Sequence, residues 1–110
     1  MAEDRTRTPV AHMVYFSLHD ASQEARARLV ASAHELLSGH DGVLHFSVGT
    51  LTPELARPVN VRDFEVSLHV VFEHMAAHDL YQHHPRHLRF MTENRPNWKT
   101  VRVFDANLTP

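Results

Sequence analysis

Tyrosine and histidine side chains that could carry acid–base chemistry are concentrated in the segment LYQHHPRHLRF, residues 80–90. A neutral imidazole can remove a proton from a carbon next to a carbonyl group. A tyrosine hydroxyl can donate a hydrogen bond to the enolate oxygen that this step creates. Tyr81 and a nearby histidine could therefore act together as an acid–base pair, and such chemistry requires neither a metal nor another cofactor.

Two other interpretations of these histidines remain open. One is a metal site, because His74 and His78 stand four residues apart on a predicted helix face, with the histidines of residues 83–87 nearby. No cysteine joins them and no carboxylate is an obvious third ligand, so we predict no metal site. The other is a structural joint at Pro85, in which His84 caps the second helix and His87 packs under the sheet.

The composition of the chain excludes several classes of protein. It contains no cysteine, which rules out disulfides and thiolate chemistry. The net charge is −2 and Lys99 is the one lysine, so we expect no nucleic-acid partner. No apolar run approaches the roughly 20 residues of a membrane span, and the polar N-terminus MAEDRTRTPV lacks the apolar core of a signal peptide. We expect a cytoplasmic protein without membrane contact.

Hydrophobic periodicity predicts an alternation of strands and helices behind a disordered lead-in over residues 1–9. A helix should begin at the N-cap Ser22 and end at Gly39 and Gly42. Two shorter helices should flank Pro85, which disfavours helical geometry in the residue before it. The predicted strands cover residues 10–18, 43–51, 63–73 and 98–108.

Alternation along the strands predicts which side chains share a face of the sheet. One face of the first strand should carry His12, Val14, Phe16 and Leu18. One face of the third should carry Phe64, Val66, Leu68 and Val70. One face of the last should carry Trp98, Thr100, Arg102 and Phe104.

This order, βαββαβ, predicts a single α+β domain over residues 10–107 with a ferredoxin-like fold. Its four-stranded antiparallel sheet would carry both helical segments on one face. The other face, which we expect to be aliphatic, would be bare in a monomer, and a bare apolar face of this size marks an interface or a cavity. We predict a homodimer in which two sheets pack face to face into an α+β barrel.

Four segments together resemble the stress-responsive α/β-barrel family, the dimeric α+β barrel proteins abbreviated Dabb. They are AHMVYFSL, RDFEVSLHVVFE, LYQHHPRHLRF and VRVFD, which extend from Val10 to Asp105. The most specific element is His-Pro-x-His preceded by an aromatic residue, here Tyr81 with residues 84–87. The family fold is the dimeric barrel predicted above.

The resemblance also implies roles for individual residues. The family includes the plant polyketide cyclase that makes olivetolic acid, whose base and hydrogen-bonding partner correspond to His87 and Tyr81. A histidine on the first strand of that cyclase corresponds to His12, and a pocket tryptophan to Trp98. A further cyclase histidine corresponds to Val66, so the resemblance does not imply the same substrate.

We therefore predict that the protein binds a small apolar or aromatic molecule between sheet and helices, with cofactor-free cyclase or isomerase chemistry as the sharper hypothesis. A non-enzymatic stress-response or interaction protein and a cofactor-free monooxygenase are the alternatives. The predicted ligand-binding residues are His12, Val14, Phe16, Val66, Leu68 and Trp98, beside the catalytic pair Tyr81 and His87.

Overall fold

The computed structural model describes residues 7–109 and confirms the predicted order of elements. The strands are β1 (Val10–Leu18), β2 (Val43–Thr50), β3 (Val66–Phe72) and β4 (Trp98–Asn107). The helices are α1 (Gln23–Leu37), α2 (Met75–His83) and α3 (Pro85–Asn94). Residues 1–6 of the predicted lead-in lie outside the described part of the chain.

All four strands pair antiparallel in one sheet, in the order β2-β3-β1-β4. This topology places the first strand in the interior of the sheet, beside the last. His12 consequently lies between Val70 on β3 and Asp105 on β4. Within residues 7–109, no helix has the length and apolar character needed to cross a membrane.

Side-chain caps define where each helix begins. Ser22 accepts a hydrogen bond from the backbone N–H of Ala25 at 3.1 Å, as the sequence predicts for the N-cap of α1. The ring of His74 caps α2 in the same way. His84 caps α3, and Pro85 occupies the first turn, where a missing N–H is tolerated. The predicted joint between α2 and α3 is therefore present.

The core lies between one face of the sheet and the helices. Helix α1 buries Leu29, Ala33, Leu36 and Leu37 against it. The sheet contributes the inward-facing residues of its two central strands, Val14, Phe16, Leu18, Val66, Leu68, Val70 and Phe72. Burial of these side chains is the main source of stability, at about 25 cal/mol for each Å² of apolar surface.

Two predicted face assignments are wrong. The pairing of β1 with β4 shifts between Ser17 and Leu18, so that Trp98 opposes Leu18 while Thr100 opposes Ser17. This irregularity turns Trp98 to the helix-covered face, because one extra residue reverses the alternation. Phe64 precedes β3, which begins at Val66, so the alternation of side chains along the strand does not apply to Phe64.

The open face of the sheet is aromatic rather than aliphatic, contrary to our expectation. Tyr15 lies at the centre of a cluster in which its ring contacts Phe64 at 5.0 Å and Phe104 at 5.7 Å between centroids. His69 lies 6.3 Å from the same ring. We call Met13, Tyr15, Phe64 and Phe104 the open-face cluster.

Candidate functional site

A cavity of about 440 Å³ lies between the covered face of the sheet and the helices α2 and α3. It opens along the edge strand β4, where Val101, Val103 and Asp105 are exposed. The residues that line it include His12, Val14, Phe16, Leu68, His78, Asp79, Tyr81, His87, Trp98 and Asp105. Volumes of roughly 300–1,000 Å³ are typical of small-molecule sites.

Tyr81 and His87 meet at the inner end of this cavity. The proline joint turns α3 relative to α2, so the two rings contact each other with centroids 4.7 Å apart. Both residues are buried, at 2% and 8% exposure. Among the described residues, neither Oη of Tyr81 nor Nδ1 of His87 has a hydrogen-bond partner. The structure thus brings the predicted pair together without a bond between these two atoms.

Burial determines the protonation of both groups. It lowers the pKa of His87 to about 4, and the nearby rings of His12, His40 and His78 add to the effect, while a hydrogen bond to the backbone of Gln82 partly opposes it. Burial also raises the pKa of Tyr81 above its usual value. At neutral pH the cavity therefore contains a neutral imidazole and a protonated phenol.

His12 is held by the last strand. Its Nδ1 lies 2.5 Å from Oδ1 of Asp105, its neighbour across the ladder. The ring is buried, whereas half of the Asp105 side chain is exposed. A carboxylate bonded to one imidazole nitrogen fixes the orientation of the ring and leaves the other nitrogen available.

A third histidine lies beside His12. The ring centroid of His78, on α2, is 5.3 Å from that of His12. Its Nδ1 is 3.1 Å from a carboxylate oxygen of Asp79. His40 packs behind the cavity instead, where its ring contacts Tyr81 at 5.1 Å and its Nε2 bonds to the carbonyl of Leu36.

Most of the predicted ligand-binding residues line the cavity. Val14, Phe16, Leu68 and Trp98 join His12 in its wall. Val66 is fully buried in the core and does not line it. Trp98 packs against Phe16 at 5.0 Å between ring centroids, and its Nε1 is buried with no partner in the described chain.

The histidines considered for a metal site do not form one cluster in the structure. His74 and His84 cap helices, and His83 bonds through Nδ1 to the carbonyl of Asp79. Only His78 belongs to a group that could hold an ion, together with His12 and Asp105. Asp105 was not predicted as a site residue, because its partner His12 stands 93 positions earlier and becomes a neighbour only through the β1–β4 register.

Fold and cavity together define an α+β protein with a ferredoxin-like sheet and a pocket under its helices. The chain belongs to the Dabb family, described as the stress-responsive A/B barrel domain, whose model matches residues 10–108. The predicted family resemblance is therefore confirmed. No curated protein matches the sequence significantly.

Solved structures share this fold. A Dabb family protein with a ferredoxin-like fold from Mesorhizobium loti is 24% identical, with a TM-score of 0.77 over 94% of this chain and 99% of its own. A dimeric ferredoxin-like protein of unknown function from Thermobifida fusca is 14% identical, with a TM-score of 0.77 over 92% of each chain. The hydroxynitrile lyase of Passiflora edulis is 19% identical, with a TM-score of 0.75 over 94% and 95%.

Proposed function

We propose that this protein binds a small, mostly apolar carbonyl compound in the cavity and that Tyr81 and His87 act on it by acid–base chemistry. The observation that carries the proposal is a pair of buried polar atoms without a partner in the described chain, Oη of Tyr81 and Nδ1 of His87, on two rings that contact each other. Buried polar groups are nearly always hydrogen-bonded, and an unpartnered pair in a cavity is typical of a ligand site.

The protonation states favour this division of roles. Tyr81 keeps its proton and donates a hydrogen bond to a carbonyl oxygen. His87 stays neutral and offers a lone pair to a proton on the adjacent carbon. A pKa of about 4 makes it a weak base in the free protein, but a developing enolate beside the ring raises that pKa, because the charged form gains an opposite charge. Proton transfer is then coupled to formation of the anion.

The lining agrees with an apolar or aromatic ligand body. Val14, Phe16, Leu68 and Trp98 supply an apolar wall, and no lysine or arginine lines the cavity in the described chain. A rigid aromatic ketone would bury its ring there and direct its carbonyl group at Tyr81. A hydroxynitrile lyase with this fold is an example of an enzyme built on the same architecture.

The functional unit in this proposal is a homodimer formed through the open face. The open-face cluster and Arg102 surround a second concavity of about 430 Å³ on that side. Val61, in the loop before β3, also lines it and is 61% exposed. An exposed apolar face of this extent is typical of an interface, and the Thermobifida fusca neighbour is described as dimeric.

Thermal shift with a panel of aryl ketones and β-diketones tests binding. A ligand at a hundredfold excess over its Kd should stabilise the protein by about 2.7 kcal/mol. Tyr81→Phe and His87→Gln should lose most of this shift. His19→Gln, which changes an exposed histidine outside the cavity lining, should keep it.

Deuterium exchange tests the chemistry without knowledge of the product. In D₂O, the wild-type protein should accelerate exchange at the carbon next to the carbonyl group of a bound ketone, as measured by NMR. His87→Gln should abolish this acceleration. Binding without exchange would support a non-enzymatic binding protein, and the absence of any ligand-induced shift would refute the proposed function.

A further inference from the structure

Three potential metal ligands from three separate elements meet at the open end of the cavity. His12 comes from β1, His78 from α2 and Asp105 from β4. One donor atom from each lies within 4.8 Å of the other two. Two imidazoles and a carboxylate are the donor set of many catalytic zinc and non-haem iron sites.

One ring nitrogen of His78 already contacts a carboxylate, as is common for metal-binding histidines. Its Nδ1 is engaged by the carboxylate of Asp79 at 3.1 Å, which leaves Nε2 free. Metal-binding histidines almost always make such a bond through their second nitrogen, since it fixes the ring and raises its basicity. The side chain of His78 is 19% exposed, so an ion can reach it from the cavity mouth.

The charge of the cavity favours a cation. Asp79 and Asp105 line it, and no arginine or lysine does within the described residues. An entering divalent ion therefore meets two carboxylates and neither a lysine nor an arginine that would repel it, although it must displace the His12 ring from Asp105. The wall around these groups is largely apolar, which strengthens their attraction for the ion.

From these observations we propose that His12, His78 and Asp105 bind one divalent first-row transition-metal ion per chain. Ligand atoms around a tetrahedral zinc ion lie roughly 3.3 Å apart. The 2.5 Å contact between His12 and Asp105 must therefore open by less than 1 Å. The exposed Asp105 side chain can make that adjustment, because its carboxylate lies at the cavity mouth.

This site goes beyond the proposed function, because neither Tyr81 nor His87 is a ligand. Three protein ligands leave at least one coordination position for water or an oxygen atom of a bound molecule. That position would lie within the same cavity, since all three ligands line it. An ion there would favour ligands that carry a carboxylate or carbonyl oxygen.

Titration of untagged, chelator-treated protein with Co²⁺ tests the site, with calorimetry of Zn²⁺ binding for stoichiometry. We expect one ion per chain. The visible ligand-field spectrum should be that of Co²⁺ with fewer than six ligands. His78→Ala and Asp105→Asn should each weaken binding at least tenfold. His19→Ala, an exposed histidine outside the cavity lining, should bind as tightly as the wild type.

NMR of the wild-type protein gives a test that needs no variant. One equivalent of Zn²⁺ should shift the ring signals of His12 and His78 and leave those of exposed histidines unchanged. Shifts confined to exposed histidines, equal affinity in Asp105→Asn, or no binding at micromolar concentration would each overturn the proposal. Tyr81→Phe should keep the ion while it loses the organic ligand, so the two proposals can fail separately.

Discussion

Nδ1 of His12 lies 2.5 Å from Oδ1 of Asp105, and this bond joins the first strand of the sheet to the last across 93 residues. The ring is buried and the carboxylate lies at the mouth of the cavity. In the ion-free protein the bond therefore fixes how the His12 ring is presented to a molecule that enters the cavity.

Asp105→Asn should lower the free energy of unfolding by about 1 kcal/mol, because it weakens a hydrogen bond to a buried ring. Urea denaturation in the presence of a chelator measures this loss. Glu93→Gln is the matched control, since it removes an exposed pair with Arg89 on α3 and should cost less than Asp105→Asn. Equal losses in the two variants would show that the His12–Asp105 bond stabilises the fold no more than an exposed ion pair does.

Tyr81→Phe should raise the free energy of unfolding of the ligand-free protein by about 1 kcal/mol. The change removes a buried hydroxyl without a partner in the described chain and keeps the ring that packs on Phe72 and His87. Tyr81→Leu should instead destabilise the fold by about 2 kcal/mol or more, because the aromatic packing is lost. A Tyr81→Phe protein less stable than the wild type would mean that the hydroxyl is satisfied and would count against a ligand site.

Acid should destabilise the fold through His87. Its folded-state pKa is about 4, whereas a histidine in the unfolded chain has its ordinary pKa of 6.5. Between these values the unfolded chain binds a proton that the folded chain does not, so the free energy of unfolding decreases as the pH falls through this window. We expect a contribution on the order of 2 kcal/mol, less than the full shift implies, because the cavity admits water.

Urea denaturation at pH 7, 6, 5 and 4.5, with a chelator present, measures this dependence for the wild type and His87→Gln. The slope should be shallower in the variant. It should not vanish, because burial also lowers the pKa of His40 and His69. Identical slopes would contradict the assignment of the effect to His87.

Phe104→Glu should convert the proposed dimer into a monomer. Phe104 is 58% exposed in the isolated chain and belongs to the open-face cluster, so a buried charge at this position would strongly oppose sheet-to-sheet packing. Light scattering after size exclusion reports the mass. Leu80→Glu, at 69% exposure on α2, is the control and should leave the mass unchanged. A dimeric Phe104→Glu protein would exclude the open face as the interface.

Gly42 should tolerate alanine less well than Gly39. Both have positive φ, 79° and 74°, so each substitution carries a backbone cost of about 1 kcal/mol. A Cβ at Gly42 would also lie 2.5 Å from Cβ of Ala77 on α2, whereas nothing lies within 4 Å at Gly39. We expect Gly42→Ala to lose at least 1 kcal/mol more in thermal or urea denaturation. Equal losses of stability in the two variants would mean that α2 can move away from the added Cβ at no cost.

Much of the fold follows from local patterns. The N-cap at Ser22, the helix break at Pro85 and the alternation of β1 are each decided by residues within a few positions of one another. The predicted face of a side chain was wrong where it depends on how two strands pair. The irregularity between β1 and β4 turns Trp98 to the covered face, and no feature of the β4 sequence alone marks that extra residue.

The candidate site likewise combines features that follow from local sequence with features that depend on tertiary packing. The positions of Tyr81 and His87 on two helices separated by a proline follow from local sequence, because short-range sterics and helix capping specify that joint. The proximity of His12, His78 and Asp105 could not be predicted from local patterns, because it depends on strand order and on the packing of α2 against the sheet. The burial that lowers the pKa of His87 is likewise a collective property of the core, which no neighbouring residue in the chain supplies.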